Sequence, residues 1–76
     1  MINKNLNSIN LLENFLDERN HEYQSYNNII EIYNNESEVI IIEFKEIKVL
    51  MYHQNEKHEY SAIDNKIFKK IENILN

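Results

Sequence analysis

The sequence predicts an α+β domain in the order α-β-β-β-(β)-α, a small antiparallel sheet packed by an N-terminal and a C-terminal helix. Three observations carry this expectation. Both ends of the chain repeat apolar residues at helical spacing. The middle contains Val39-Ile40-Ile41-Ile42-Glu43-Phe44, whose four consecutive β-branched residues favour an extended backbone. Two polar, asparagine-bearing clusters, 34–37 and 53–57, then break the middle into strands and turns.

The first helix is expected over 3–19. Ile2, Leu6, Ile9, Leu12 and Leu16 follow i, i+3/i+4 spacing, and Leu11 and Phe15 widen the stripe. Asn3, Asn5 or Ser8 would cap its start, and Asn20 suits the left-handed position after its end. Residues 22–28 are ambiguous: Tyr23 and Tyr26 stand among polar residues without a clean period, and Asn27-Asn28 reads as a bend. A strand follows over 29–33, with Ile30 and Ile32 inward and Glu31 and Tyr33 more exposed. The turn Asn34-Asn35-Glu36-Ser37 should pair it antiparallel with 38–44.

In the 39–44 strand, Val39 and Ile41 point one way and Ile40, Ile42 and Phe44 the other, so both faces are apolar and the strand belongs inside a sheet. Lys45-Glu46 interrupts it, and Ile47, Val49 and Met51 resume the alternation. Two strands joined by a bulged or slightly longer turn fit better than one strand of about 15 residues. A second turn centred on Asn55 leads to a short edge strand at 58–60. Ser61 reads as the cap of the last helix with Asp64 three residues on. That helix places Ile63, Ile67, Ile71, Ile74 and Leu75 on one side, with Phe68 beside them, and Lys66, Lys69, Lys70 and Glu72 on the other. Both helices are expected on one sheet face, which leaves the other face open.

Composition narrows the chemistry. Seventy-six residues make a single domain, 1–76, and a chain this short buries only about 60% of its unfolded surface. With no cysteine, neither a disulfide nor a four-cysteine zinc site is available. With no glycine, a phosphate-cradling loop and a G-x-S-x-G nucleophile turn are excluded. Asparagine must then serve wherever the backbone needs positive φ. The abundance of Asn, Ile and Lys, all A/T-rich in their codons, points to a low-GC bacterium or one of its phages as the source. No apolar segment follows Met1-Ile2-Asn3-Lys4-Asn5 as a signal peptide requires, and no run approaches the roughly 20 apolar residues of a membrane span. A soluble, cytoplasmic protein is expected.

The net charge of −5 is uneven. Residues 1–44 hold eight acids against Lys4 and Arg19, whereas 45–76 hold five acids against six lysines. An acidic surface repels nucleic acid and attracts basic partners.

Candidate chemistry is sparse. His53 and His58 flank a turn near Glu56 and Glu59, but His-x4-His on a turn lacks the defined ligand set of a zinc site, and His21 suits a helix C-terminus. Asp17-Glu18 and Glu36-x-Glu38 fall at element ends, where solvated acids are normal, and acid–base work needs a cleft that shifts their pKa values. No catalytic residue, metal site or cofactor is assigned, and the chain reads as a non-enzyme. Lys66, Lys69 and Lys70 form the one basic cluster. The α-β-β-β-α order resembles that of double-stranded-RNA-binding domains in topology, but three lysines on an acidic chain supply few phosphate contacts, so direct nucleic-acid binding is not expected. Tyrosine is enriched at interfaces, and Tyr23 and Tyr26 are poorly explained by core packing.

The reading that results is a small acidic, non-catalytic protein-binding module. Its expected partner-binding residues are Glu13, Asp17, Glu18, Glu22, Tyr23, Tyr26 and Glu31, which would occlude a basic, nucleic-acid-handling surface of a host protein complex. In size, charge and inferred origin the chain resembles phage-encoded inhibitors of host defence such as anti-CRISPR proteins, and bacteriocin-immunity proteins share the same traits. The alternative is a self-associating structural or regulatory subunit, a homodimer through the open sheet face with Ile40, Ile42, Leu50 and Tyr52 at the interface.

Overall fold

The structure, a computed structural model, describes residues 4–35 and 37–76, with side chains from Asn7 onward. Its elements run α1 (Lys4–Glu18), β1 (Glu22–Tyr26), β2 (Ile29–Asn34), β3 (Ser37–Phe44), β4 (Val49–His53), β5 (Glu56–Tyr60) and α2 (Asn65–Leu75). The five strands form one antiparallel sheet in the order β1-β2-β3-β4-β5, so each strand pairs with its neighbour in sequence. The α+β architecture holds, with one strand more than expected. The ambiguous stretch after α1 is a full edge strand, paired with β2 from Glu22↔Tyr33 to Tyr26↔Ile29. The chain breaks after Phe44 as expected, through a four-residue loop closed by the Lys45 N–H on the Lys48 carbonyl (2.9 Å).

Asparagine does the work of glycine. Asn20, Asn27, Asn35 and Asn55 all have φ between 52° and 66°, joined only by Gln54 among the described non-glycine residues. The short Asn side chain tolerates this region better than most. Asn20 ends α1 as the spacing predicts: its N–H bonds the Asp17 carbonyl (3.1 Å) and the His21 N–H bonds the Leu16 carbonyl (3.0 Å), the double closure of a Schellman motif. At the next turn, Asn28 donates its side-chain N–H to the Phe44 carbonyl (3.0 Å), while its own carbonyl accepts from the Phe44 N–H (2.8 Å). This ties the β1–β2 turn to the end of β3. Of the expected caps at the start of α1, Asn5 and Ser8 lie within the helix and so do not cap it, while Asn3 lies outside the described residues, as does Glu36 of the β2–β3 turn.

The core lies on one side of the sheet. Ile30, Ile32, Ile40, Ile42, Phe44, Val49 and Met51 project from the strands and meet Leu12, Phe15 and Leu16 of α1 and Ile67 and Ile71 of α2 in one cluster. The helices touch each other there: Phe15 and Phe68 stack with centroids 4.2 Å apart, Arg19 sits 4.0 Å over Phe15, and Arg19 Nε reaches Glu72 at 3.9 Å. Both helices therefore share one face, as expected.

Two expectations need correction. Ser61 does not cap α2. Asp64 does, in extended conformation (φ −145°), accepting the Lys66 N–H at 3.0 Å. Ile63 then precedes the helix and is buried, opposite in the staple pattern to Phe68 at the fourth helical position. The four residues proposed for an open-face homodimer also do not share a face. Ile40 (1% exposed) and Ile42 (0%) lie beneath the helices, whereas Leu50 and Tyr52 project from the opposite side, because Ile42 pairs with Met51 and Glu43 with Leu50.

Candidate functional site

The uncovered face takes its character from alternation. With Ile30 and Ile32 turned to the core, Glu31 and Tyr33 must face out, and their β1 partners Gln24 and Glu22 face out with them. Tyr26 is in phase with Gln24 and lies 45% exposed. The result is a hydrogen-bonded cluster spanning two strands. Tyr26 donates to Glu31 Oε2 (2.8 Å), and Tyr33 donates to Glu31 Oε1 (3.0 Å) and, more weakly, to Gln24 Oε1 (3.4 Å).

A β-bulge adds a second acid. Between β2 and β3 the register shifts, so Ile32 pairs with Ile40 but Tyr33 pairs with Glu38, leaving Val39 as the extra residue. In an unbroken strand Glu38 would be in phase with Ile40 and Ile42 and would point into the core. The bulge turns it out beside Glu31. The Val39 carbonyl lies 2.9 Å from His53 Nδ1, which places the ring proton on Nδ1, since a carbonyl only accepts.

The electrostatics follow from this crowding. Hydrogen bonds from Tyr26, then Glu38, then Tyr33 hold Glu31 below the usual carboxylate range. The same contact with Glu31 pushes Glu38 up. Bonding to Glu31 raises the hydroxyls of Tyr26 and Tyr33 above their ordinary value. Glu31 thus sits at the centre of the group as the acceptor of both tyrosine hydroxyls.

On the helix side of the same edge strand lies a second group. Tyr23 is in phase with Ile32's face and half-buried. Its hydroxyl donates to Asp17 Oδ1 at 2.9 Å. Burial, then the Asp17 hydrogen bond, then the charges of Asp17 and Glu13 push it up to about 12. The seven expected partner-binding residues are therefore divided by β1. Glu13, Asp17 and Tyr23 lie on the helix side, and Glu22, Tyr26 and Glu31 on the open face. Glu18 is exposed at the end of α1, 4.0 Å from Arg19. Gln24, Tyr33 and Glu38, none of them among the expected partner-binding residues, join the open-face group. The signal was the i, i+2 spacing of Gln24 with Tyr26 and of Glu31 with Tyr33, which becomes legible only once 22–26 is a strand.

The rest of the surface is distinct. Tyr52 donates to Glu43 Oε1 (3.2 Å), while Glu43 Oε2 pairs with Lys45 (3.2 Å). An open hollow of about 490 Å³ lies beside it, lined in part by Val39, Ile41, Tyr52 and Lys57. His53 and His58 do not converge: His53 is committed to Val39, and His58 Nε2 lies 3.8 Å from Glu56. Among the described residues no three His, Cys, Asp or Glu side chains are grouped as a metal ion would need, and no polar or charged residue is buried. Lys66 and Lys69 are exposed on α2 and Lys70 is half-buried. No helix among the described residues is long and apolar enough to cross a membrane. No family model matches the chain, and neither a curated protein nor a solved structure is significantly similar to it.

Proposed function

We propose that this chain is a non-catalytic protein-binding module, acting in the cytoplasm. It presents the acidic, tyrosine-bearing surface on both sides of β1 to a basic, nucleic-acid-handling surface of a host protein complex. The inhibitor reading, of the phage-encoded anti-CRISPR kind, belongs to this proposal. The observation that supports it is the Tyr26–Glu31–Tyr33 network. It fixes a carboxylate and two aromatic rings on an exposed sheet face, a set that suits an arginine or lysine side chain through charge and ring stacking. Long-range attraction from the acidic first half of the chain would speed encounter and make capture salt-sensitive.

The test is affinity capture from a low-GC bacterial lysate with mass-spectrometric identification, run beside a variant carrying Asp17→Lys, Glu18→Lys and Glu22→Lys. The expected result is a specific nucleic-acid-handling protein, retained less as salt rises and lost with the reversals. Capture that survives the reversals would refute the acidic-surface mechanism.

A further inference from the structure

The two edges of the sheet differ in what they present. β5 pairs only with β4 among the described residues, so one side of its backbone is free. Which groups are free follows from the hairpin. Gln54 (φ 50°) and Asn55 (φ 66°) form a two-residue turn of the primed type, flanked by the pair His53↔Glu56. In such a hairpin the flanking residues exchange both backbone hydrogen bonds, and bonded and non-bonded pairs then alternate. Glu56, His58 and Tyr60 therefore turn their N–H and C=O toward β4. Lys57 and Glu59 turn theirs to the open edge.

From this pattern we infer that β5 pairs antiparallel with β5 of a second copy of this chain, on a two-fold axis through His58. In that register Lys57 stands opposite Glu59 of the partner, and Glu59 opposite its Lys57. The free N–H and C=O of each residue meet those of the other, giving four backbone hydrogen bonds. Each backbone pair also carries a Lys–Glu pair on the open sheet face, where Lys57 and Glu59 both project, opposite Tyr52 and Leu50 of β4. Lys48, 3.6 Å from Glu59, adds a second cation to that row.

Charge selects this register over its neighbours. Centring the axis on Lys57 sets lysine against lysine, and centring it on Glu59 sets glutamate against glutamate. Directly opposed like charges destabilise a strand pair as opposite charges stabilise it. Charged edge strands normally repel foreign strands, and here the same residues leave one self-complementary solution. The β1 edge offers no equivalent, since its central residues Tyr23, Gln24 and Ser25 carry no opposite charges to select a register. A contact between five-residue strands is small, so the association is reversible and concentration-dependent.

The joined sheet would have ten strands, with β1 at both outer ends. On strand spacing alone the two acidic surfaces then stand on the order of 40 Å apart. This bivalence rests on the proposed function, while the dimer does not.

Sedimentation equilibrium on the full chain, from micromolar to millimolar, tests the dimer with β1 untouched. The wild type should show a monomer–dimer equilibrium. Lys57→Glu and Glu59→Lys should each weaken it by at least about tenfold, because each turns two opposite-charge pairs into like-charge pairs. Mixing the two single variants should restore dimers, and so should combining both substitutions in one chain. In the wild type, the Lys57 and Glu59 amides should gain hydrogen-exchange protection as concentration rises, a readout that needs no variant to fold. A wild type that stays monomeric at millimolar concentration overturns the inference. So does a dimer indifferent to the single reversals, or one that mixing fails to restore.

Discussion

Two adjacent isoleucines in β3 should respond very differently to truncation. Ile42 is fully buried, paired between Ile30 and Met51, which are fully buried themselves. Ile42→Ala would leave a cavity walled by strands on both sides and helices above, with little freedom to collapse. Such substitutions cost about 2–5 kcal/mol. A domain of this length has a total stability of about 4–11 kcal/mol on per-residue averages. A loss near the middle of the range, about 3 kcal/mol, lowers Tm by about 12–24 °C in a domain this small. Ile41 points to the uncovered face and is only half-buried. Ile41→Ala removes side-chain area that water already reaches in part, and should cost about 1 kcal/mol or less. Thermal unfolding followed by circular dichroism, with urea titration as a check, measures both in dilute solution. Near-equal costs would refute one-sided packing, because they would mean that the second face is also covered.

Two further outcomes follow from the geometry. All five tyrosine hydroxyls are raised in the folded protein, Tyr23 to about 12. A group raised on folding contributes stability that is complete below its unfolded pKa, near 10, and lost as pH rises through the folded value. Stability should therefore fall between about pH 10 and 12, and spectrophotometric titration of Asp17→Asn should show one tyrosine titrating earlier than in the wild type. Replacing the α2 cap, Asp64→Ala, should cost about 1 kcal/mol by denaturant unfolding, whereas Ser61→Ala should cost a few tenths at most.

How much of this could be read from residues alone depended on whether the information was local. The 39–44 strand, the break after Phe44 and the left-handed Asn20 were legible because side-chain branching, alternation and turn chemistry are properties of short segments. Glu22–Tyr26 was not, since Tyr23 and Tyr26 are three apart and point to opposite sides of a strand, which blurs the period. Only β2 supplies the register that makes 22–26 extended. The grouping of Ile42 with Leu50 failed for a related reason. Which residues of two strands share a face depends on the number of residues in the loop between them, here Lys45 to Lys48. Glu38 carried a readable conflict, an acid in phase with buried isoleucines, and the bulge is its resolution. The split of the acidic surface by β1 follows from that same missed strand.

Every strand of this sheet lies beside its neighbour in sequence. No pairing therefore requires a distant stretch of chain to return, and the entropy of closing long loops is never the obstacle. Sheets that depend on non-local pairing fold slowly, while local connectivity favours speed. Each hairpin can form on its own turn, three of the four with asparagine already tolerant of the required φ. The helices, one before and one after the strands, close a surface that the strands build among themselves. A cell making such a chain would meet few half-paired intermediates, and little time in which their edges stand exposed.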